Sequence, residues 1–267
     1  MVHTAAGSVC STIFSAALGH PDKLRLVFQP RINLVTGTCI GAEALLRWSH
    51  PMLGNVPPGE FIPIVEQTSL ARAMTEWVMD AGLKQLSAWC AAGRCIQLSL
   101  DVLAANLDEA DFAQKVQLYL PKYGVRAGLL ELDVTESAVM ENSGHAASQL
   151  AALNNAEIQL AIDDFGTGYS SLSYLQRLPA KIVKIDQSFV RNLVNSEREQ
   201  ALVRSIISLS HDLDYGVVAE GIETAEAAEI LTQMDCDEGQ GYFLGRPMEL
   251  ANFERWLNAQ QHERAAA

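Results

Sequence analysis

Ile182-Val183-Lys184-Ile185-Asp186 and Val217-Val218-Ala219-Glu220 are short, β-branched apolar runs, and the helical pattern Glu197 to Asp212 lies between them. Strand, helix and strand in that order favour a parallel crossover. The alternation continues in both directions. Upstream, Leu26 to Phe28, Cys39 to Leu45, Ile96 to Leu100, Leu129 to Val134 and Ile158 to Ile162 read as buried strands. Helices are predicted over Ala71 to Ala92 with Gly93 as C-cap, Phe112 to Tyr123, Ala146 to Ala156 and Ala225 to Met234. About eight such units in 267 residues fit an α/β chain closed as a (β/α)8 barrel better than an open sheet, because barrels take ~250 residues. One large domain is expected over residues 21–260, preceded by an N-terminal extension or linker helix (1–20) and followed by a C-terminal tail (261–267).

The chain carries 19 basic and 32 acidic residues, a net charge of -13. That balance argues against a nucleic-acid polymer or an anionic membrane surface as partner, since both need clustered Lys and Arg. No apolar run approaches the roughly 18 residues of a membrane span, and Val9 to Leu18 lacks the basic flank of a signal peptide. A cytoplasmic protein, or the cytoplasmic portion of a larger signalling protein, is expected. The five cysteines (Cys10, Cys39, Cys90, Cys95, Cys236) include no CxxC pair and are expected to be reduced and mostly buried.

Several strands end in polar residues that a buried strand would not choose. Glu43, Glu131 and Asp133, Asp163-Asp164, Lys184 with Asp186, and Glu220 all follow or interrupt apolar runs. In a barrel the strand C-termini converge on one face, so these groups would share a small space. Carboxylates packed together need cations, and several of them with one lysine form a hard-oxygen set suited to Mg²⁺ or Mn²⁺. An adjacent pair such as Asp163-Asp164 suits two ions, one carboxylate bridging both. Any single acid after a strand reads more readily as a helix N-cap, but five or six together do not, and Glu and Lys are poor caps. The turn Phe165-Gly166-Thr167-Gly168-Tyr169-Ser170-Ser171 has serine where a dinucleotide fingerprint needs its third glycine. It is expected to form a mobile loop over the metal site. His211-Asp212 lies within a helical pattern without partner histidines and reads as a partly exposed helix pair.

Glu43-Ala44-Leu45-Leu46-Arg47-Trp48 resembles the ExLxRW signature of the bacterial EAL domains, which hydrolyse cyclic di-GMP to linear pGpG. Further matches follow in order: Phe28-Gln29-Pro30, Phe61-Ile62-Pro63, Val134-Thr135-Glu136, Asp163 to Leu172, Lys184-Ile185-Asp186, Ala219 to Glu223, Gln240-Gly241-Tyr242 and Gly245-Arg246-Pro247. The resemblance spans roughly residues 24 to 258. It implies a TIM-like barrel with one antiparallel strand, a homodimer, two Mg²⁺ or Mn²⁺ ions and inhibition by Ca²⁺.

Carried over by position, Glu43, Asp163 and Asp164 resemble metal ligands, and Glu220 a further ligand or general base. Lys184 would orient the attacking water or the phosphate, with Gln240 in support. Arg47 and Arg246, with Gln29 and Leu45, resemble the substrate-binding set. Glu136 and Glu223 resemble residues that hold the loop Phe165-Gly166-Thr167-Gly168 and link it to the dimer surface. Two departures weaken the metal site in this reading. Gln97-Leu98-Ser99 stands where the family has an Asn-x-Ser ligand motif, and Asp133 where it has a glutamate. Both keep an oxygen donor, so Gln97 and Asp133 are expected as ligands, and the two changes either reduce catalysis or compensate for each other. The competing reading is a degenerate EAL domain that binds cyclic di-GMP as a non-catalytic receptor or serves as a protein-interaction module.

Overall fold

The computed structural model describes residues 14–18, 20, 23–141, 145–167, 175 and 178–265. Among the described residues there are ten strands: β1 (Leu24–Asn33), β2 (Cys39–His50), β3 (Gly54–Val56), β4 (Gln97–Val102), β5 (Leu130–Thr135), β6 (Gln159–Phe165), β7 (Ile182–Ile185), β8 (Gly216–Ala219), β9 (Glu238–Gly239) and β10 (Met248–Glu249). Eight of them close a ring in the order β1-β2-β4-β5-β6-β7-β8-β9, and β9 returns to β1. β1 runs antiparallel to both of its ring neighbours, while every other contact around the ring is parallel. The reason is local. Only five residues join β1 to β2, with Gly37 at φ 65° in the turn, and a connection so short permits a hairpin but no crossover. β3 folds back onto β2, and β10 adds to Val27 and Phe28 of β1.

The longer helices are α1 (Pro58–Glu66), α2 (Leu70–Ala91), α3 (Phe112–Tyr123), α4 (His145–Asn155), α5 (Glu197–Asp212), α6 (Ala225–Gln233) and α7 (Leu250–Ala265). The side chains of Ser196 and Thr224 cap α5 and α6 by accepting from Glu199 N–H and Ala227 N–H. The apolar core lies between strands and helices, with Leu98, Leu100, Leu130, Leu132, Leu83 and Trp89 all at 0% exposure. Residues alternate across each strand, so the other set points into the barrel, and there the side chains are polar.

One expectation needs correction. Of the four described cysteines only Cys236 is buried; Cys39 and Cys90 are half-buried and Cys95 is exposed, because three of them stand at strand or helix ends. Cys10 lies outside the described residues. The segment before β1 packs against the barrel. Phe14 is fully buried, its ring 5.3 Å from both Trp48 and Phe61. Residues 14–18 are helical, and Phe14 and Ala17 pack one face of that turn onto the barrel.

Candidate active site

The barrel interior holds two polar layers. At the N-terminal ends of the parallel strands, Arg31 is 1% exposed and pairs through its guanidinium with Glu131 and with Glu238 at 2.7 Å. It also donates to Gln97 Oε1 at 2.7 Å and Ser99 Oγ at 3.3 Å. Gln97 is therefore spent on the closed end of the barrel. This corrects its expected role as a metal ligand. Alternation along β4 explains it: Gln97, Ser99 and Asp101 share the inner face, and only Asp101 reaches the C-terminal end. Sequence reading missed Asp101, although a carboxylate two positions beyond Ser99 on the same face was the available signal. Glu131 falls in the lower layer for the same reason, two residues before Asp133 on β5.

The upper layer is built around Lys184, which is fully buried. Its ammonium lies 2.8 Å from Glu220, 3.0 Å from Asp133, 3.4 Å from Asp163 and 3.6 Å from Glu43. Burial alone would lower the lysine pKa. The four carboxylates outweigh it and hold the group well above the usual lysine range. Burial pushes Asp133 well above the usual carboxylate range. In the same way it pushes Glu220 up to about 7 and Asp101 up to about 8, with help from neighbouring carboxylates.

Glu43, Asp101 and Asp133 each offer an oxygen, and the three oxygens lie within 4.8 Å of one another. Asp133 Oδ1 is buried without a hydrogen-bond partner. A buried carboxylate oxygen left unpaired costs free energy, and a cation between these three groups removes that cost. The residues present therefore fit a divalent metal.

Asp163 joins this cluster through a bulge. Ile162 pairs with Val183 and Phe165 with Ile185, so Asp163 and Asp164 together oppose the single residue Lys184. Asp164 adopts φ 55°, and its N–H donates to Asp163 Oδ1 at 2.9 Å. Beyond the bulge, Phe165 is buried among Ile162, Val183 and Ile185, and Thr167 Oγ1 donates to the Asp164 carbonyl at 2.8 Å. Glu136 accepts the Gly166 N–H at 2.9 Å, tying the end of β5 to the turn. Gly168 lies outside the described residues.

Two cavities open beside the cluster and share Glu43 as a wall. One, about 280 Å³, runs from Asp101, Asp133 and Asp163 toward Ile62, Met74 and Val78. The other, about 320 Å³, is lined by Gln29, Leu45, Arg47, Glu220, Glu223 and Gln240, together with Gln187, Arg191 and Tyr242. Gln240 Nε2 donates to Glu43 Oε2 and, at 3.2 Å, to Gln29 Oε1; Gln29 in turn donates to the Gly245 carbonyl at 3.0 Å. Arg246 stands just outside, its guanidinium 4.2 Å from the centre of the Tyr242 ring. Glu223 lines the second cavity. Among the described residues no helix is long and apolar enough to cross a membrane.

Residues 13–247 match the family model described as EAL domain. A cyclic di-GMP phosphodiesterase of Pseudomonas aeruginosa is 40% identical over 246 residues, which is 92% of this chain and 42% of that protein. The cyclic di-GMP phosphodiesterase NbdA of the same organism is 36% identical over 245 residues, covering 91% of this chain and 31% of NbdA. Among solved structures, the PaMucR phosphodiesterase in complex with c-di-GMP superposes with a TM-score of 0.87 at 36% identity, covering 91% of this chain and 99% of that one. The chain thus spans less than half the length of these two curated relatives.

Proposed function

This chain belongs to the EAL domain family, and on that premise we propose that it hydrolyses cyclic di-GMP to linear pGpG with two Mg²⁺ or Mn²⁺ ions. The observation that carries the reading is the trio Glu43, Asp101 and Asp133, with the unpaired Asp133 oxygen inside it and a cavity on either side. Glu43, Asp101, Asp133, Asp163, Asp164 and Glu220 would hold the ions. When bound, the ions supply an acidified water and positive charge for the phosphoryl oxygens. Glu220, which lines the 320 Å³ cavity with its carboxylate 2.8 Å from Lys184, is placed to take the proton of the attacking water. Lys184 stays charged and keeps the carboxylates oriented. Gln240 fixes Glu43, while Gln29, Leu45 and Arg47 wall the space for one nucleotide, with Arg246 at its edge. The proposal includes a homodimer, inhibition by Ca²⁺ and a cytoplasmic location.

The receptor reading rested on two departures from the family pattern, and Gln97 drops out of it because that side chain serves the closed end. Asp133, shorter than glutamate and drawn to Lys184 at 3.0 Å, remains in its favour. The deciding measurement is pGpG release from cyclic di-GMP in Mg²⁺, in Mn²⁺ and with added Ca²⁺. Turnover in Mg²⁺ or Mn²⁺ that Ca²⁺ suppresses is expected; tight binding with no turnover in either metal refutes the enzyme and leaves the receptor.

A further inference from the structure

Cyclic di-GMP carries two phosphodiesters on one ring, and the carboxylate and metal centre described above accounts for only one. The buried Lys184 already faces four carboxylates and has no charge to spare for the other. The 280 Å³ cavity has no cation among its described lining residues. The 320 Å³ cavity has two, Arg47 and Arg191, so the second phosphate belongs there. Arg47 is anchored at the back. It donates to its neighbour's carbonyl, Leu46 O, at 2.9 Å and stands opposite Arg25 in the β1–β2 register. Arg191 is exposed at the mouth, and its Nη2 donates to Gln187 Oε1 at 2.8 Å.

Gln187 is itself held in place. Gly221, at φ 71°, approaches so closely that a Cβ added there would lie 2.5 Å from Gln187 Cβ. The short helix Gln187–Val190 is thereby packed against the residue that follows Glu220. One edge of the guanidinium is committed to Gln187, and the remaining N–H groups form the planar fork that matches a phosphate. Glu223 lines the same cavity and favours a cation at this place in the absence of substrate.

We propose that Arg191 binds the uncleaved phosphodiester of the cyclic dinucleotide and that Gln187 is its positioning residue. The inference rests on the phosphodiesterase reading given above. It is tested by measuring kcat and KM with Mn²⁺ for the wild-type chain, Arg191→Gln, Arg191→Lys and Gln187→Ala. Two substrates are compared: cyclic di-GMP and bis(p-nitrophenyl) phosphate, which has a single phosphodiester. With cyclic di-GMP, Arg191→Gln raises KM about tenfold, as expected for one lost charge-assisted contact, while kcat stays within about twofold. Arg191→Lys recovers part of the loss, Gln187→Ala shows a smaller rise, and KM for bis(p-nitrophenyl) phosphate does not move. An unchanged KM for cyclic di-GMP, or equal changes with both substrates, overturns the role of Arg191 while leaving the phosphodiesterase intact. A wild-type chain that binds cyclic di-GMP without cleaving it overturns the phosphodiesterase alone, and the same tenfold weakening is then read in Kd by titration. A wild-type chain that neither cleaves nor binds it overturns both.

Discussion

Replacing Lys184 by methionine keeps the length of the side chain and removes its charge. At an effective dielectric constant of ~20, a unit charge pair at about 3 Å is worth about 5 kcal/mol, and Glu220 at 2.8 Å and Asp133 at 3.0 Å both stand at that range. Much of that attraction is offset by the cost of burying the charges. Removing one partner of a buried pair nevertheless leaves a loss of about 3 to 5 kcal/mol, because the other charge stays behind unpaired. In a domain of this size each kcal/mol moves Tm by roughly 2 to 4 °C, so Lys184→Met should melt about 6 to 20 °C below wild type in chelator. Divalent metal bound at the same carboxylates would stabilise only the folded state. At ~100 times its Kd it adds about 2.7 kcal/mol to any folded chain that binds it, so saturating Mn²⁺ should raise the Tm of Lys184→Met by about 5 to 11 °C over its own value in chelator. The assay is thermal unfolding of both proteins in EDTA and in Mn²⁺ at pH 8. Equal melting temperatures in EDTA would refute the reasoning, since the carboxylates would then be tolerating one another without the lysine.

A second expectation concerns pH. The raised pKa values of Glu220 (about 7) and Asp101 (about 8) mean that the folded protein binds protons more tightly than the unfolded chain. That stabilisation is complete below the ordinary carboxylate range and is lost as pH rises through 7 to 8, so in chelator Tm should fall between pH 6 and 9. Saturating Mn²⁺ should flatten the profile, and a metal-free Tm that rises with pH contradicts the assignment. Gln97→Ala should leave kcat/KM within about twofold and cost about 1 kcal/mol, read as a small drop in Tm, because it removes a hydrogen bond to Arg31 far from the open end. A collapse of activity would return Gln97 to the metal site. Phe14→Ala should destabilise the domain by about 3 to 5 kcal/mol, seen as a lowered denaturant midpoint, if the ring is as much a part of the core as its contacts with Trp48 and Phe61 indicate.

What the sequence discloses here depends on how locally each feature is encoded. α3 and α5 begin and end where the helical pattern does, at Phe112–Tyr123 and Glu197–Asp212, because turn residues and caps mark both ends. β7 is equally plain, a four-residue apolar run broken only by Lys184. β3, β9 and β10 are two or three residues long, and pairing partners rather than local pattern define them. The carboxylates were visible as polar residues in apolar runs, but their height within the barrel was not. Gln97 and Asp101 differ only in position along one strand, and that difference separates a ligand of Arg31 from a member of the open-end cluster. Arg191 was missed because an arginine on a short helix carries no signal until the fold swings it over the cavity beside Glu220.

The bulge at Asp163-Asp164 has a consequence for descent as well as for chemistry. The left-handed backbone of Asp164 is open to glycine, tolerable for asparagine and aspartate, and strained for β-branched or bulky side chains. With Asp164 holding a metal as proposed above, selection at this position would act through two filters, one for an oxygen donor and one for the backbone. A lineage that abandoned hydrolysis would be released from the first and still held by the second. Its residue 164 would drift toward asparagine or glycine, and the bulge would outlast the reaction that it serves.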